Sequence, residues 1–223
     1  MIITALAEKE SQGIDYYLAL SQTTNSRDAV EKIAKKQGYL EIKSCSYLNN
    51  NTLVITWAKG HLVRLKEPEE YDEKWKDWSL ESLPIIPDNF EYVVDEKRKK
   101  QFEIVQKKLK AAQQIIWAGD IDREGSYISY IICKVAGVWG DSRKTFKSLW
   151  IGDLTPKPVR KGFQNLQDIE YRYLQAQEAQ ARAIADWLLG MNSSRYLSKS
   201  LEERLGLRVP EKEGRIASGR IIS

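Results

Sequence analysis

The chain has 223 residues, 42% of them hydrophobic, enough to bury the core of one ordinary domain and part of a second. Its 35 Lys and Arg against 31 Asp and Glu leave a net charge of +4, which permits a nucleic-acid partner but excludes the extreme balance of a histone-like binder. Two cysteines exclude a disulfide framework, and no run reaches the roughly 20 apolar residues of a membrane span, so the expectation is a soluble protein of a reducing cytoplasm with no membrane contact.

Met1 to Ala7 lacks the basic start and long apolar core of a signal peptide and reads as a first strand over Ile2 to Ala7, running straight into Glu8-Lys9. Ser11 offers a cap for a helix through Tyr16, Tyr17 and Leu20. Leu53 to Trp57 is a second β-rich run, closed by Lys59-Gly60-His61-Leu62. From Glu67 to Phe90 the chain holds Pro68, Pro84, Pro87, Trp75 and Trp78, the composition of an ordered but irregular excursion. Lys97 to Ala111 sets Phe102, Val105 and Leu109 on one helical face, and Ile115 to Ala118 has the length of a fully buried strand. Ile128, Ile131, Ile132 and Val135 then recur at helical spacing. Thr145 to Ile151 reads as another strand, and Thr155-Pro156 opens a helix with proline early in it. Ile169 to Leu189 is one long helical pattern with a polar row at Gln175, Glu178, Arg182 and Asp186, a row that solvated helix surfaces also show. The last 34 residues carry Arg195, Lys199, Arg204, Arg208, Lys212, Arg215 and Arg220, a density able to track a phosphate backbone.

The chemistry-bearing run is Ala118-Gly119-Asp120-Ile121-Asp122-Arg123-Glu124-Gly125, with three carboxylates at alternate positions after a buried strand and before a helix. In an open α/β sheet the ends of such strands face the binding crevice. Glu8 follows the first strand in the same way, so both acids are expected at one rim. Magnesium takes a few hard oxygens and keeps water, which suits this set; a single His and two Cys do not suit zinc. Acid clusters of this spacing also occur as solvated loops and helix caps.

Nearly the whole chain resembles the N-terminal part of a type IA DNA topoisomerase of the bacterial topoisomerase III branch. The resemblance rests on Leu6-Ala7-Glu8-Lys9, Gly60-His61-Leu62-Val63, Tyr71 to Trp75 through Trp78 to Ile85, and Asp120 to Gly125. It continues in Phe146 to Ile151 and Ile184 to Asn192. It implies an α/β toprim domain with a mostly parallel sheet over residues 1–162, followed at 163–223 by the start of an incomplete helical DNA-binding domain. It further implies a magnesium ion held by Glu8, Asp120, Asp122 and Glu124, with Glu8 close to the scissile phosphate and Lys9 stabilising its charge. His61, Arg182, Arg195 and Arg220 fall in segments that resemble DNA-contacting ones, the partner being single-stranded DNA.

Family members usually carry Pro at the position of Glu10, Thr at Gly119, Glu at Ser126 and Gln at Ile222. Loss of the acid at Ser126 predicts a weakened hold on metal. None of the 11 tyrosines lies in a segment like the family's nucleophile motif. The covalent tyrosine link stores the energy of the broken phosphodiester, so these residues alone are expected to be incompetent for strand passage and to need a further topoisomerase segment. Two other functions fit the same residues. A magnesium-dependent toprim nuclease would need no tyrosine, and a noncatalytic DNA-binding remnant would need no acids.

Overall fold

The computed structural model describes residues 1–206. Its strands are β1 (Ile2–Ala7), β2 (Tyr39–Cys45), β3 (Asn51–Trp57), β4 (Val63–Leu65), β5 (Tyr92–Val94), β6 (Gln114–Trp117), β7 (Thr145–Ser148) and β8 (Gln167–Asp168). Its α-helices are α1 (Glu10–Leu20), α2 (Arg27–Gln37), α3 (Lys99–Ala111), α4 (Arg123–Val135), α5 (Pro156–Gln164) and α6 (Glu170–Leu205). Six strands form one sheet in the order β2, β3, β1, β6, β7, β8, while β4 and β5 pair separately. The four central strands are mutually parallel, and β2 and β8 run antiparallel at the edges. This is the mostly parallel α/β architecture that the sequence predicts.

Strands covered on both faces need continuous apolar runs. Ile3 to Ala7, Leu53 to Trp57 and Ile115 to Trp117 provide them, with Thr4 and Thr56 buried by bonding their hydroxyls to the carbonyls of Lys108 and Gly38. One face packs on α1, α2 and α5 through Ile14, Tyr16, Val30, Ala34, Val159 and Phe163. Gly13 allows the close approach of α1, since a Cβ there would lie 2.8 Å from the Trp57 ring.

The chain folds as two compact units, 1–64 with 93–179 and 65–92 with 180 onward. The first holds the sheet. The second is the irregular excursion, which contains 3-10 turns at Pro68–Glu70 and Glu73–Trp75, together with the remainder of α6. Its core is Trp75, Ile85 and Trp187, with Tyr71 and Phe90 set edge-on to the Trp187 ring. Asn192 anchors the excursion by accepting from the Ile85 amide at 2.6 Å and donating to the Ile85 carbonyl at 3.0 Å. Asn192→Ala strands both groups of fully buried Ile85 and is expected to lower stability by about 2 kcal/mol in urea unfolding.

Four local expectations need correction. Ser11 does not cap α1: Lys9 stands at the N-cap, and Gln12 reaches back to accept from the Glu8 amide at 2.9 Å, because the chain turns into the helix directly after β1. β7 ends at Ser148 rather than Ile151, since its partner β6 stops opposite it at Trp117. Glu124 lies in the first turn of α4, not in the turn preceding it. α6 runs past Leu189 to Leu205, because the Asn192 bonds and the buried Ser194, Arg195 and Ser198 outweigh the roughly 1 kcal/mol helix penalty of Gly190.

Cys45 and Cys133 are both free and buried, and burial raises both thiols, that of Cys133 to about 12. At pH 8 a disulfide-exchange reagent is expected to leave both untouched in the native protein and to titrate both after guanidinium unfolding.

Candidate active site

β1 and β6 are parallel neighbours with Leu6 opposite Trp117, so the residues that follow each strand emerge at the same sheet edge. Glu8 and Asp120 therefore meet although 112 positions separate them, the Asp120 amide pointing at Glu8 Oε2 at 3.4 Å. Lys9 Nζ lies between their carboxylates, 3.3 Å from Glu8 Oε1 and 3.4 Å from Asp120 Oδ2. The hydrogen bond and charge of Glu8, then those of Asp120, raise the ammonium above its ordinary pKa. Gln12, almost fully buried, donates to Asp120 Oδ1 at 3.0 Å while accepting from the Glu8 amide, and so ties both acidic residues to α1.

Asp122 is placed differently. It is the N-cap of α4, its Oδ1 accepting from the Gly125 amide at 2.7 Å. Glu124, exposed in the first helical turn, faces His61, with Nε2 at 4.0 Å from Oε1. Arg123 pairs with Glu178, so part of the polar row on α6 also reaches the acidic loop, both side chains remaining exposed. Gly119 has room for a side chain, the nearest atom to a Cβ being 3.5 Å away. Gly125 has none: a Cβ would fall 2.5 Å from the Asp120 carbonyl oxygen. Glu10 opens α1, where negative charge suits the helix's exposed amides.

Ser126 is fully buried and its hydroxyl is in use. It accepts from Arg172 Nε at 2.6 Å, and its single proton is shared between the Asp122 carbonyl at 2.7 Å and Gln175 Oε1 at 3.0 Å. Tyr16 donates from beneath to the Ala118 carbonyl at 2.8 Å, and burial keeps its hydroxyl protonated by raising its pKa. Sequence reasoning missed Gln12 and Arg172. Gln12 stands one helical turn after Glu8, and the polar row on α6, extended three residues back from Gln175, lands on Arg172.

Arg182 is exposed and pairs weakly with Asp186 at 3.8 Å. Arg195 is buried, donating to the Trp75 carbonyl at 2.6 Å and lying over the Trp78 ring. Arg220 and Ile222 lie outside the described residues.

Among the described residues no three His, Cys, Asp or Glu side chains converge as a metal cluster. The adjacent pair Glu8 and Asp120 supplies hard oxygens only. That donor set fits a cation that keeps most of its waters and completes its shell with a phosphate, as magnesium does, and does not fit zinc.

A family model described as Toprim domain matches residues 5–150. Curated relatives include the DNA topoisomerase 3 of Bacillus subtilis, 41% identical over 166 residues, which are 73% of this chain and 22% of the relative. The DNA topoisomerase 3 of Staphylococcus saprophyticus is 36% identical over 204 residues, 91% of this chain and 26% of the relative. The chain thus spans about a quarter of the length of the curated relatives it matches. The full-length topoisomerase I of Thermotoga maritima superposes over 92% of this chain and 27% of its own, with a TM-score of 0.53 at 19% identity, a likeness of fold. With a parallel sheet that brings Glu8 to Asp120 at one edge and a family match over most of its length, the chain belongs to the Toprim domain family.

Proposed function

We propose that these residues are a portion of a type IA DNA topoisomerase of the topoisomerase 3 kind, supplying the acid and magnesium half of a site that cuts and rejoins one DNA strand. The observation that carries the reading is the meeting of Glu8, Lys9 and Asp120 beyond two neighbouring parallel strands. Glu8, Asp120, Asp122 and Glu124 are the residues that would hold the ion. Bound there, magnesium would neutralise charge on the non-bridging oxygens of a phosphate.

The chain's own groups do the rest. Lys9, whose side chain is mostly exposed, bridges the two acids until a phosphate offers it a third partner, and there stabilises developing charge. Glu8, held on the rim by the Asp120 amide, stands beside the scissile phosphate in this reading. His61 and Arg182 are each exposed and are kept as separate DNA contacts in this reading, as is Arg220 by its sequence position. Arg195 is left out, because its guanidinium is spent on Trp75 and Trp78. In this reading the nucleophilic tyrosine belongs to a further topoisomerase segment, the matched relatives being about four times as long. The substrate is single-stranded DNA in the cytoplasm; no helix among the described residues is long and apolar enough to cross a membrane.

The test uses the purified chain with a single-stranded oligonucleotide and manganese as a paramagnetic stand-in for magnesium. One bound ion per chain, with no covalent adduct and no plasmid nicking, is expected. Nicking that Asp120→Ala abolishes would replace the reading with a nuclease. Salt-sensitive DNA binding with no ion bound would replace it with a noncatalytic binding module.

A further inference from the structure

We infer that Arg172 is a positioning residue for the acidic loop, fixing where Asp120 stands by gripping the loop's backbone and Ser126. The inference rests on the metal reading above for its function, and on the following geometry for its existence.

Arg172 is on the first turn of α6 and is fully buried, although desolvating a guanidinium carries a penalty of several kcal/mol. Both of its hydrogen bonds end on the loop: Nη2 donates to the Asp120 carbonyl at 2.8 Å and Nε to Ser126 Oγ at 2.6 Å. Among the described residues Nη1 is buried with no hydrogen-bond partner, so the hydrogen bonds that hold this guanidinium are the two that it gives the loop. The two gripped points lie six residues apart, one at the metal acid and the other in the first turn of α4. Ser126 passes the hold on to the Asp122 carbonyl. One rigid planar group thereby sets the span between the end of β6 and the start of α4, which Lys, with a single point of attachment, would not do.

Burial lowers the pKa of the guanidinium, and the neighbouring acids Asp122, Asp120 and Glu8 offset this in part. A positive charge behind a cation site opposes the cation, whereas a fixed ligand favours it, so the two effects of Arg172 have opposite signs. If charge alone mattered, Arg172→Met would tighten metal binding. If positioning matters, it weakens binding, and groups that orient ligands are typically worth roughly 10–100-fold.

The experiment measures manganese affinity by electron paramagnetic resonance, and amide hydrogen exchange of the metal-free protein, for the full chain, Arg172→Met and Arg172→Lys. Both variants are expected to bind manganese about tenfold or more weakly, and to exchange faster over residues 120–126 with α1 and β3 unchanged. Equal or tighter binding by Arg172→Met, with loop exchange as in the parent, would overturn the inference. Should Arg172→Met not fold, Arg172→Lys decides on the same two readouts. Should the parent chain bind no manganese, the metal reading fails while loop exchange still decides the role of Arg172.

Discussion

Gly125→Ala is expected to destabilise the protein by about 2–3 kcal/mol and to push the acidic loop away from Glu8. Alanine favours a helix over glycine by roughly 1 kcal/mol, so an account from propensity alone predicts the opposite sign at this first-turn position of α4. Space reverses it. The new Cβ would stand 2.5 Å from the Asp120 carbonyl oxygen, 3.1 Å from its amide nitrogen and 3.0 Å from Glu8 Oε2. Glu8 Oε2 could swing aside, but the two backbone atoms cannot: the carbonyl is held by Arg172, and the Asp120 amide already faces Glu8. Gly119→Ala is the matched control, expected to be near neutral because its Cβ would meet nothing closer than 3.5 Å. Urea unfolding of the two variants beside the parent reads both effects, and a stabilised Gly125→Ala would contradict this packing of the loop.

Asp120→Ala is expected to lower manganese affinity by more than roughly 100-fold, beyond the range of groups that merely orient ligands, while the melting temperature falls by only a few degrees, the cost of the acceptor that Gln12 loses. The carboxylate is about half exposed, so its removal leaves no buried hole. Its loss deprives Gln12 of an acceptor and leaves Lys9 on Glu8 alone, where the ammonium neutralises the one remaining donor of the pair. Calorimetric titration of metal into the variant and a thermal scan separate the two consequences. Retained affinity would mean that the ion is held by other groups.

The parallel sheet was legible because a strand buried on both faces must be almost wholly apolar, and the runs ending in Ala7, Trp57 and Ala118 are, save Thr4 and Thr56. The rim acids were legible for the same reason, since their place just beyond such runs fixes the edge at which they emerge. α2 was not read: only Val30 and Ala34 are buried on it, too thin a stripe for periodicity to register, although Ser26 and Gly38 do mark its two ends as N-cap and left-handed C-cap. The partners that shape the site were also hidden, because they act across the fold. Arg172 lies 46 positions from Ser126, and nothing local distinguishes a buried arginine from a solvated one on a polar helix. Asp122 was read as a metal acid from its spacing, and the same spacing makes it the cap of α4. Local sequence does not separate those two uses of one carboxylate.

The most direct measurement grafts these residues in place of the matching stretch of the Bacillus subtilis DNA topoisomerase 3, then follows relaxation of negatively supercoiled plasmid in magnesium. The proposed function predicts relaxation by the chimera, a covalent DNA adduct on its tyrosine, and loss of both with Asp120→Ala. A folded chimera that binds single-stranded DNA and relaxes nothing, or one that still relaxes plasmid with Asp120→Ala, would contradict it.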